Sequence, residues 1–270
     1  SIVESEPGQI TQSIKAYSVS IETIKKICRA LPGMDKIKVP GLLLLDTPGH
    51  KAFTTLRKRG GSLADIAIVV IDINEGVMPQ TIESIEILKE TKTPFIIALN
   101  KIDLIHGWKS QPDKFLMPNI SSQSPEVQKI LETKTYEIAA QLSNLGFNSD
   151  RFDRVDDYTK QIALIPTVAK SLEGIPELLM IVAGLAQRFL ENCLQCEMES
   201  PAKGTILEVV EEKGLGLTLD TIIYDGKIAV GDQIIIGTLH EPIVTKVKAL
   251  FLPEKNSLKS KLSALENRIA

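Results

Sequence analysis

The stretch Gly41-Leu42-Leu43-Leu44-Leu45-Asp46-Thr47-Pro48-Gly49-His50 constrains this chain more than any other. A run of apolar residues reads as a buried strand. The run stops at an aspartate, and the chain then turns through Pro-Gly. Open α/β sheets bind ligands at the carboxyl ends of their strands. An aspartate there suits a magnesium ion beside phosphates, directly or through water. The following glycine lets a backbone N–H approach an anion. Asp46 to His50 is therefore a candidate phosphate-side loop.

A second apolar run, Pro94 to Leu99, ends in Asn100-Lys101-Ile102-Asp103. Between the two runs, Asp65 to Asp72 reads as a strand and Pro79 to Glu90 as its crossover helix, with Ile82, Ile85 and Leu88 on one face. This rhythm predicts a mostly parallel sheet with right-handed crossovers and flanking helices. Ile21 to Ala30 has helical spacing, stopped by Leu31-Pro32-Gly33, and Lys36 to Leu45 is expected to enter the central sheet as a strand or hairpin. His106 opens a long insertion reaching about Asp157, with Trp108 as its anchor and a helix over Glu126 to Leu145. Ile162 to Pro166 is the last predicted strand. Gly174 opens a closing helix that extends to about Leu194.

Beyond Ser200 the texture changes. Thr205–Val210, Leu217–Tyr224, Asp232–Ile236 and Ile243–Phe251 are short apolar runs punctuated by glycines, with no long helix between them. That pattern predicts a small antiparallel β-barrel. The expected division is residues 1–197 for the α/β domain, 198–256 for the barrel and 257–270 for the start of a helical segment, suggested by Leu258, Leu262 and Leu265.

Composition narrows the function classes. The formal net charge is -3, so nucleic-acid contact, where present, is local rather than a property of the whole surface. The apolar runs are too short and interrupted to span a bilayer. Three cysteines cannot make a disulfide framework. Cys193 and Cys196 have C-x-x-C spacing without a second pair or a nearby histidine, which reads as the end of a helix rather than a zinc site. Cys28 reads as core packing. The first residues lack a basic region followed by an apolar core, which excludes a secretion signal there.

Asp46-x-x-Gly49 and, about fifty residues later, Asn100-Lys101-x-Asp103 together resemble two signature elements of GTPases. The phrases Ile10-Thr11-Gln12, Leu56-Arg57-Lys58-Arg59-Gly60-Gly61 and Asp72-Ile73-Asn74-Glu75-Gly76 narrow the likeness. They resemble the archaeal and eukaryotic form of the ribosomal subunit-joining initiation factor family, relatives of bacterial initiation factor 2. The resemblance covers nearly the whole chain, and the chain's compact wording and insertion favour an archaeal source. It implies a cytoplasmic translation GTPase that binds GTP or GDP with Mg2+ and switches conformation on hydrolysis.

The same resemblance implies residue roles. Thr11, in the first switch, and Asp46 would hold magnesium, Asp46 through a bound water. The Gly49 N–H would sense the γ-phosphate, and His50 would orient the attacking water. Asp103 would accept two hydrogen bonds from the guanine ring. Asn100 would hold the turn, and the stem of Lys101 would lie along the base. Val168, Ala169 and Lys170 occupy the guanine-loop position, where the Ala169 N–H would meet the base carbonyl. The basic cluster of Lys51, Arg57, Lys58 and Arg59 lies beside the second switch and is a candidate contact for ribosomal RNA. The implied partners are both ribosomal subunits and other initiation factors. Initiator tRNA contact falls in the family to a later domain. No membrane partner is implied, and oligomerisation has no sequence signal.

The chain departs from the pattern in places. Gln9 stands where glycine is usual, Ser13 where His or Gln is usual, and Val168 replaces a serine, removing side-chain support from the guanine loop. A G-x-x-x-x-G-K-S/T phosphate loop, expected before the first switch, does not occur in these residues. The sequence therefore reads as an amino-terminally incomplete copy, expected to bind and hydrolyse GTP poorly alone and to carry an unpaired sheet edge. Two other readings stay open: another translational GTPase, such as an elongation factor, and a ribosome-interaction module without catalysis.

Overall fold

The computed structural model describes residues 15–28, 31–46, 64–190, 200–212, 214–253 and 262–264. The expectations placed on Thr11, Gly49, His50, the Lys51–Arg59 cluster, Cys193 and Cys196 lie outside these residues. The chain divides into two compact units, one spanning Lys15–Cys193 and one carrying the strands beyond residue 200.

The core of the first unit is a parallel sheet of four strands: β3 (Ala67–Asp72), β4 (Phe95–Asn100), β5 (Ser149–Arg151) and β6 (Ile162–Pro166). Their order is β3-β4-β6-β5. Ile96, Ile97 and Leu99 of β4 and Ala163, Leu164 and Ile165 of β6 are all but inaccessible to solvent. Each such Leu or Ile contributes about 1.5–3 kcal/mol by leaving water. The crossover helix α2 (Pro79–Glu90) joins β3 to β4 and buries Ile85 and Leu88.

The run that opened the sequence argument departs from its expected place. β2 (Gly41–Asp46) does not enter the parallel sheet. It pairs antiparallel with β1 (Lys15–Ser20), in a register from Lys15 opposite Asp46 to Ser20 opposite Gly41. The intervening segment, α1 (Ile21–Ile27) and a 3-10 turn at Met34–Lys36, returns the chain in the reverse direction. No described strand pairs with the other edge of β2, and Leu43 is half exposed. β3 is likewise an edge strand among the described residues, and Val70 is 60% exposed.

The insertion builds the opposite edge. α3 (Leu116–Ser122) is followed by α4 (Pro125–Asn144), whose start combines a Ser124 side-chain cap with Pro125 in the first turn. Val127, Leu131, Thr135, Ile138 and Leu142 form its buried stripe. Gly146, at φ 87°, lets the chain leave the helix in the left-handed region. β5 then adds parallel to β6, Ser149 opposite Ile162. Arg151 pairs with Asp153, and Arg154 with Glu132. Trp108 packs against the core, the anchoring role expected of it.

The closing helix α5 (Ile175–Leu190) is apolar on more than one side because it joins two clusters. Leu178, Ile181, Val182 and Leu185 face the sheet core. Leu179, Ala183 and Ala186 pack with Ile24, Cys28, Met34, Ile37 and Val39.

The second unit is antiparallel β-structure, as its sequence texture predicts. β7 (Lys203–Glu212) pairs with β8 (Gly216–Asp225), and β9 (Gln233–Ile236) with β10 (Ile243–Lys246). The run Ile243–Phe251 is broken in two, its end belonging to β11 (Phe251–Pro253). Leu262–Ala264 forms β12, paired antiparallel with β11, rather than the helix its leucine spacing suggested. Pairing with another strand overrides a local helical pattern.

Candidate functional site

The parallel register brings three strand ends together. Asp72 at the end of β3 lies opposite Asn100 at the end of β4, and Leu99 lies opposite Pro166 of β6. Two loops therefore leave the sheet side by side: residues 100–105 after β4 and 167–174 after β6. Carboxyl ends of parallel strands are where such sheets place ligands.

Backbone hydrogen bonds zip the two loops together. The Thr167 N–H donates to Leu99 O at 2.7 Å, and the Ile102 N–H to Thr167 O at 3.4 Å. The Ala169 N–H donates to Asn100 Oδ1 at 3.0 Å. Because a backbone N–H needs an acceptor, this bond fixes the amide orientation of Asn100 and leaves its Nδ2 facing the other way. The Ala169 N–H, expected to meet a base carbonyl, is thus already engaged by Asn100.

Lys101 occupies the left-handed region, at φ 65°, and starts a 3-10 turn over Ile102–Leu104. Its carbonyl accepts from Asn74 Nδ2 at 3.2 Å. Its ammonium meets Asp72 Oδ2 at 2.8 Å, so the end of the side chain is tethered and its stem is aligned. Partial burial pushes the Asp72 carboxyl up. The Lys101 ammonium and the Asn74 N–H, bound at 2.9 Å, outweigh that effect and hold it below its usual range. Asp72 in turn holds the Lys101 ammonium above its ordinary value. Sequence reasoning assigned no task to Asp72 and Asn74. The strand-end rule applied to Asp46 would have found them.

Asp103 is half buried on the 3-10 turn. Among the described residues no donor engages its carboxylate, so both oxygens are open to a ligand. Lys170 is exposed. Val168 takes another course: its side chain is buried in the core, and it can act on a ligand only through its backbone. Its N–H donates to Glu173 O at 2.9 Å, closing the neck of the loop. Gly174, at φ 74°, completes the turn, and a Cβ there would lie 2.2 Å from Pro166 O.

Asn100, Lys101, Asp103, Val168, Ala169 and Lys170 are therefore brought into one cluster. Asp46 is not joined to it. It is exposed at the end of the separate β1–β2 ladder, and among the described residues no group of three acidic, His or Cys side chains is arranged to hold a metal. Nor is any described helix long and apolar enough to cross a membrane.

The family described as elongation factor Tu GTP binding domain matches residues 3–188. A probable translation initiation factor IF-2 from Methanocella arvoryzae is 55% identical over 255 residues, covering 94% of this chain and 43% of the relative. Its counterpart in Ignicoccus hospitalis is 53% identical over 251 residues, covering 92% and 41%. The chain thus spans less than half the length of these curated relatives. The crystal structure of GDP-bound aIF5B from Aeropyrum pernix superposes with a TM-score of 0.85 at 44% identity, covering 99% of this chain and 46% of that one.

Proposed function

We propose, from the premise that this chain belongs to the family of the elongation factor Tu GTP-binding domain, that it is the guanine-nucleotide switch of a translation initiation factor. The carrying observation is the joined pair of loops: Asn100 holds Ala169, Asp72 holds Lys101, and no donor among the described residues engages the Asp103 carboxylate. Guanine offers an N1–H and an exocyclic amine side by side, a matched pair of donors for one carboxylate. Adenine offers no such pair, and the unmet carboxylate would then count against it. The tethered Lys101 stem supplies an apolar strip for the face of the base.

The initiation role rests on the identity of more than half to archaeal initiation factors over nearly the whole chain. On this reading the ribosome is the partner, with the basic residues around Arg57–Arg59 toward ribosomal RNA, and other initiation factors are further partners. Initiator tRNA is left to parts of the protein outside this chain. Asp46 and Thr11 are the residues that would hold magnesium, which supplies charge neutralisation between phosphates when bound. The Gly49 N–H would detect the terminal phosphate, and His50 would orient water against it.

The test is an equilibrium titration of this chain with magnesium–GTP against magnesium–ATP. Saturable binding of the guanine nucleotide alone is expected if the base side suffices for recognition. Equal binding of both would retire the base-recognition reading for this chain and favour a ribosome-interaction module, whereas binding of neither is what residues without a G-x-x-x-x-G-K-S/T loop are expected to show.

A further inference from the structure

We propose that Glu173 is a positioning residue for the base-reading loop, coupling residues 168–173 to the insertion that follows Asp103. This inference rests on the base-recognition reading above.

Glu173 is 2% exposed, a position where a carboxylate is costly unless its oxygens are met. They are met many times over. Oε2 accepts from Trp108 Nε1 at 3.2 Å and from Asn119 Nδ2 at 3.1 Å. Oε1 accepts from the Ser110 hydroxyl, from the Gln111 N–H at 2.9 Å and from the Ser171 hydroxyl at 3.2 Å. Four of these five donors belong to the insertion.

The main chain of the same residue holds the loop. Glu173 O takes the Val168 N–H, and the two residues form an isolated antiparallel bridge. Ala169, the next residue, is the one bound to Asn100. The loop is thus clamped at one side by the base-reading turn and at its neck by a residue whose side chain is fixed inside the insertion. Leu172, just before Glu173, is held at φ 67°, a conformation a bulky side chain keeps only when its surroundings impose it. Loss of the carboxylate's donors would release that neck, and the Val168–Lys170 backbone would lose its fixed place beside Asp103.

Glu173→Ala, Glu173→Gln and Asn119→Ala separate this role from general stabilisation. Among the described residues the one hydrogen bond Asn119 makes to the loop is the one to the Glu173 carboxylate, so an effect of its loss on Val168 and Ala169 passes through Glu173. Amide hydrogen exchange on the ligand-free chain should be at least about tenfold faster at Val168 and Ala169 in Glu173→Ala. Asn119→Ala should show a smaller increase, and Glu173→Gln, which keeps one acceptor oxygen, should lie between. The amides of Ile97 and Leu99 in β4 should stay as slow as in the parent. Unchanged exchange at Val168 and Ala169, or a rise that β4 shares equally, would overturn the proposal. Parallel titrations with GDP and ADP isolate the underlying reading. A parent that does not prefer GDP sinks base recognition while the exchange data still decide the coupling. A parent that prefers GDP should lose at least about tenfold of that affinity in Glu173→Ala, with ADP binding unaltered.

Discussion

Asn100 Oδ1 accepts the Ala169 N–H at 3.0 Å across 69 positions of sequence, and this bond makes one unit of two loops from different strands. Its net value is about 1 kcal/mol. Asn100→Ala should accordingly lower the melting temperature by about 2–4 °C and leave the parallel sheet intact. Thermal unfolding followed by circular dichroism checks the shift. A variant as stable as the parent would mean that the loops are held together by their backbone bonds alone.

Asp103→Asn should alter ligand choice without altering the fold, because no described group donates to the Asp103 carboxylate. Asparagine offers one acceptor and one donor, which matches the N1–H and C2 carbonyl of xanthine rather than the two donors of guanine. Loss of one charge-assisted hydrogen bond and a donor facing a donor should weaken guanine binding by about 3 kcal/mol, roughly a hundredfold. Titrations with GTP and xanthosine triphosphate test the exchange of preference. Unaltered GTP affinity would remove Asp103 from the base site.

Gly174→Ala should cost about 2–4 kcal/mol. Two effects combine: the residue sits at φ 74°, and a Cβ would lie 2.2 Å from Pro166 O, a backbone atom that cannot turn aside. Chemical denaturation gives the difference directly. A cost under about 1 kcal/mol would show that the turn relaxes, and that the guanine loop is less tightly defined than its hydrogen bonds suggest.

How much of this was legible in the sequence depended on how local the determinant was. The strand at Phe95–Asn100 and the helix at Pro125–Asn144 carried their own signals, an unbroken apolar run and a capped stripe at helical spacing. The cluster of Asn100, Lys101 and Asp103 with Val168 and Ala169 followed from motif likeness, which sees ligand-facing groups. It gave no task to Asp72, Asn74 or Glu173, whose partners lie on other elements. The leucine run at Leu42–Leu45 looked like a central strand because composition records apolarity and not pairing. Only the return of the chain through Ile21–Ile27 made its partner antiparallel. At Leu262–Ala264 the spacing suggested a helix, and pairing with the strand opposite made those three residues a strand.

Cys28 should resist alkylation in the folded chain. It is fully buried, and its Sγ donates to Pro176 O at 3.2 Å. Burial, with a smaller push from Glu177, raises the thiol to about 11, so little thiolate exists at pH 8. A raised value means that the neutral thiol stabilises the fold fully below about pH 9, and that this contribution is lost as the pH rises through about 11. Iodoacetamide treatment at pH 8 and peptide mapping should find Cys28 unmodified in buffer and modified in guanidinium chloride. Labelling in buffer would show that α1 separates from α5 readily.

Glu177→Gln should stabilise the chain at neutral pH and not in acid. Glu177 is 3% exposed, and its Oε1 takes the Leu116 N–H at 2.6 Å, while Oε2 has no hydrogen-bond partner among the described residues. Burial therefore raises its carboxyl, against the smaller lowering by the Leu116 N–H and its own N–H. When the folded-state value lies above the unfolded one, the contribution to stability is full below the unfolded value of about 4.5 and falls as pH rises through the folded value. Glutamine keeps the oxygen for Leu116 and never ionises, so it escapes that loss. The variant's melting temperature relative to the parent should climb between pH 4 and pH 8. A difference that stays constant over that range would mean that the Glu177 carboxylate finds a donor when it ionises, and that the end of α3 rests on a charged rather than a neutral cap.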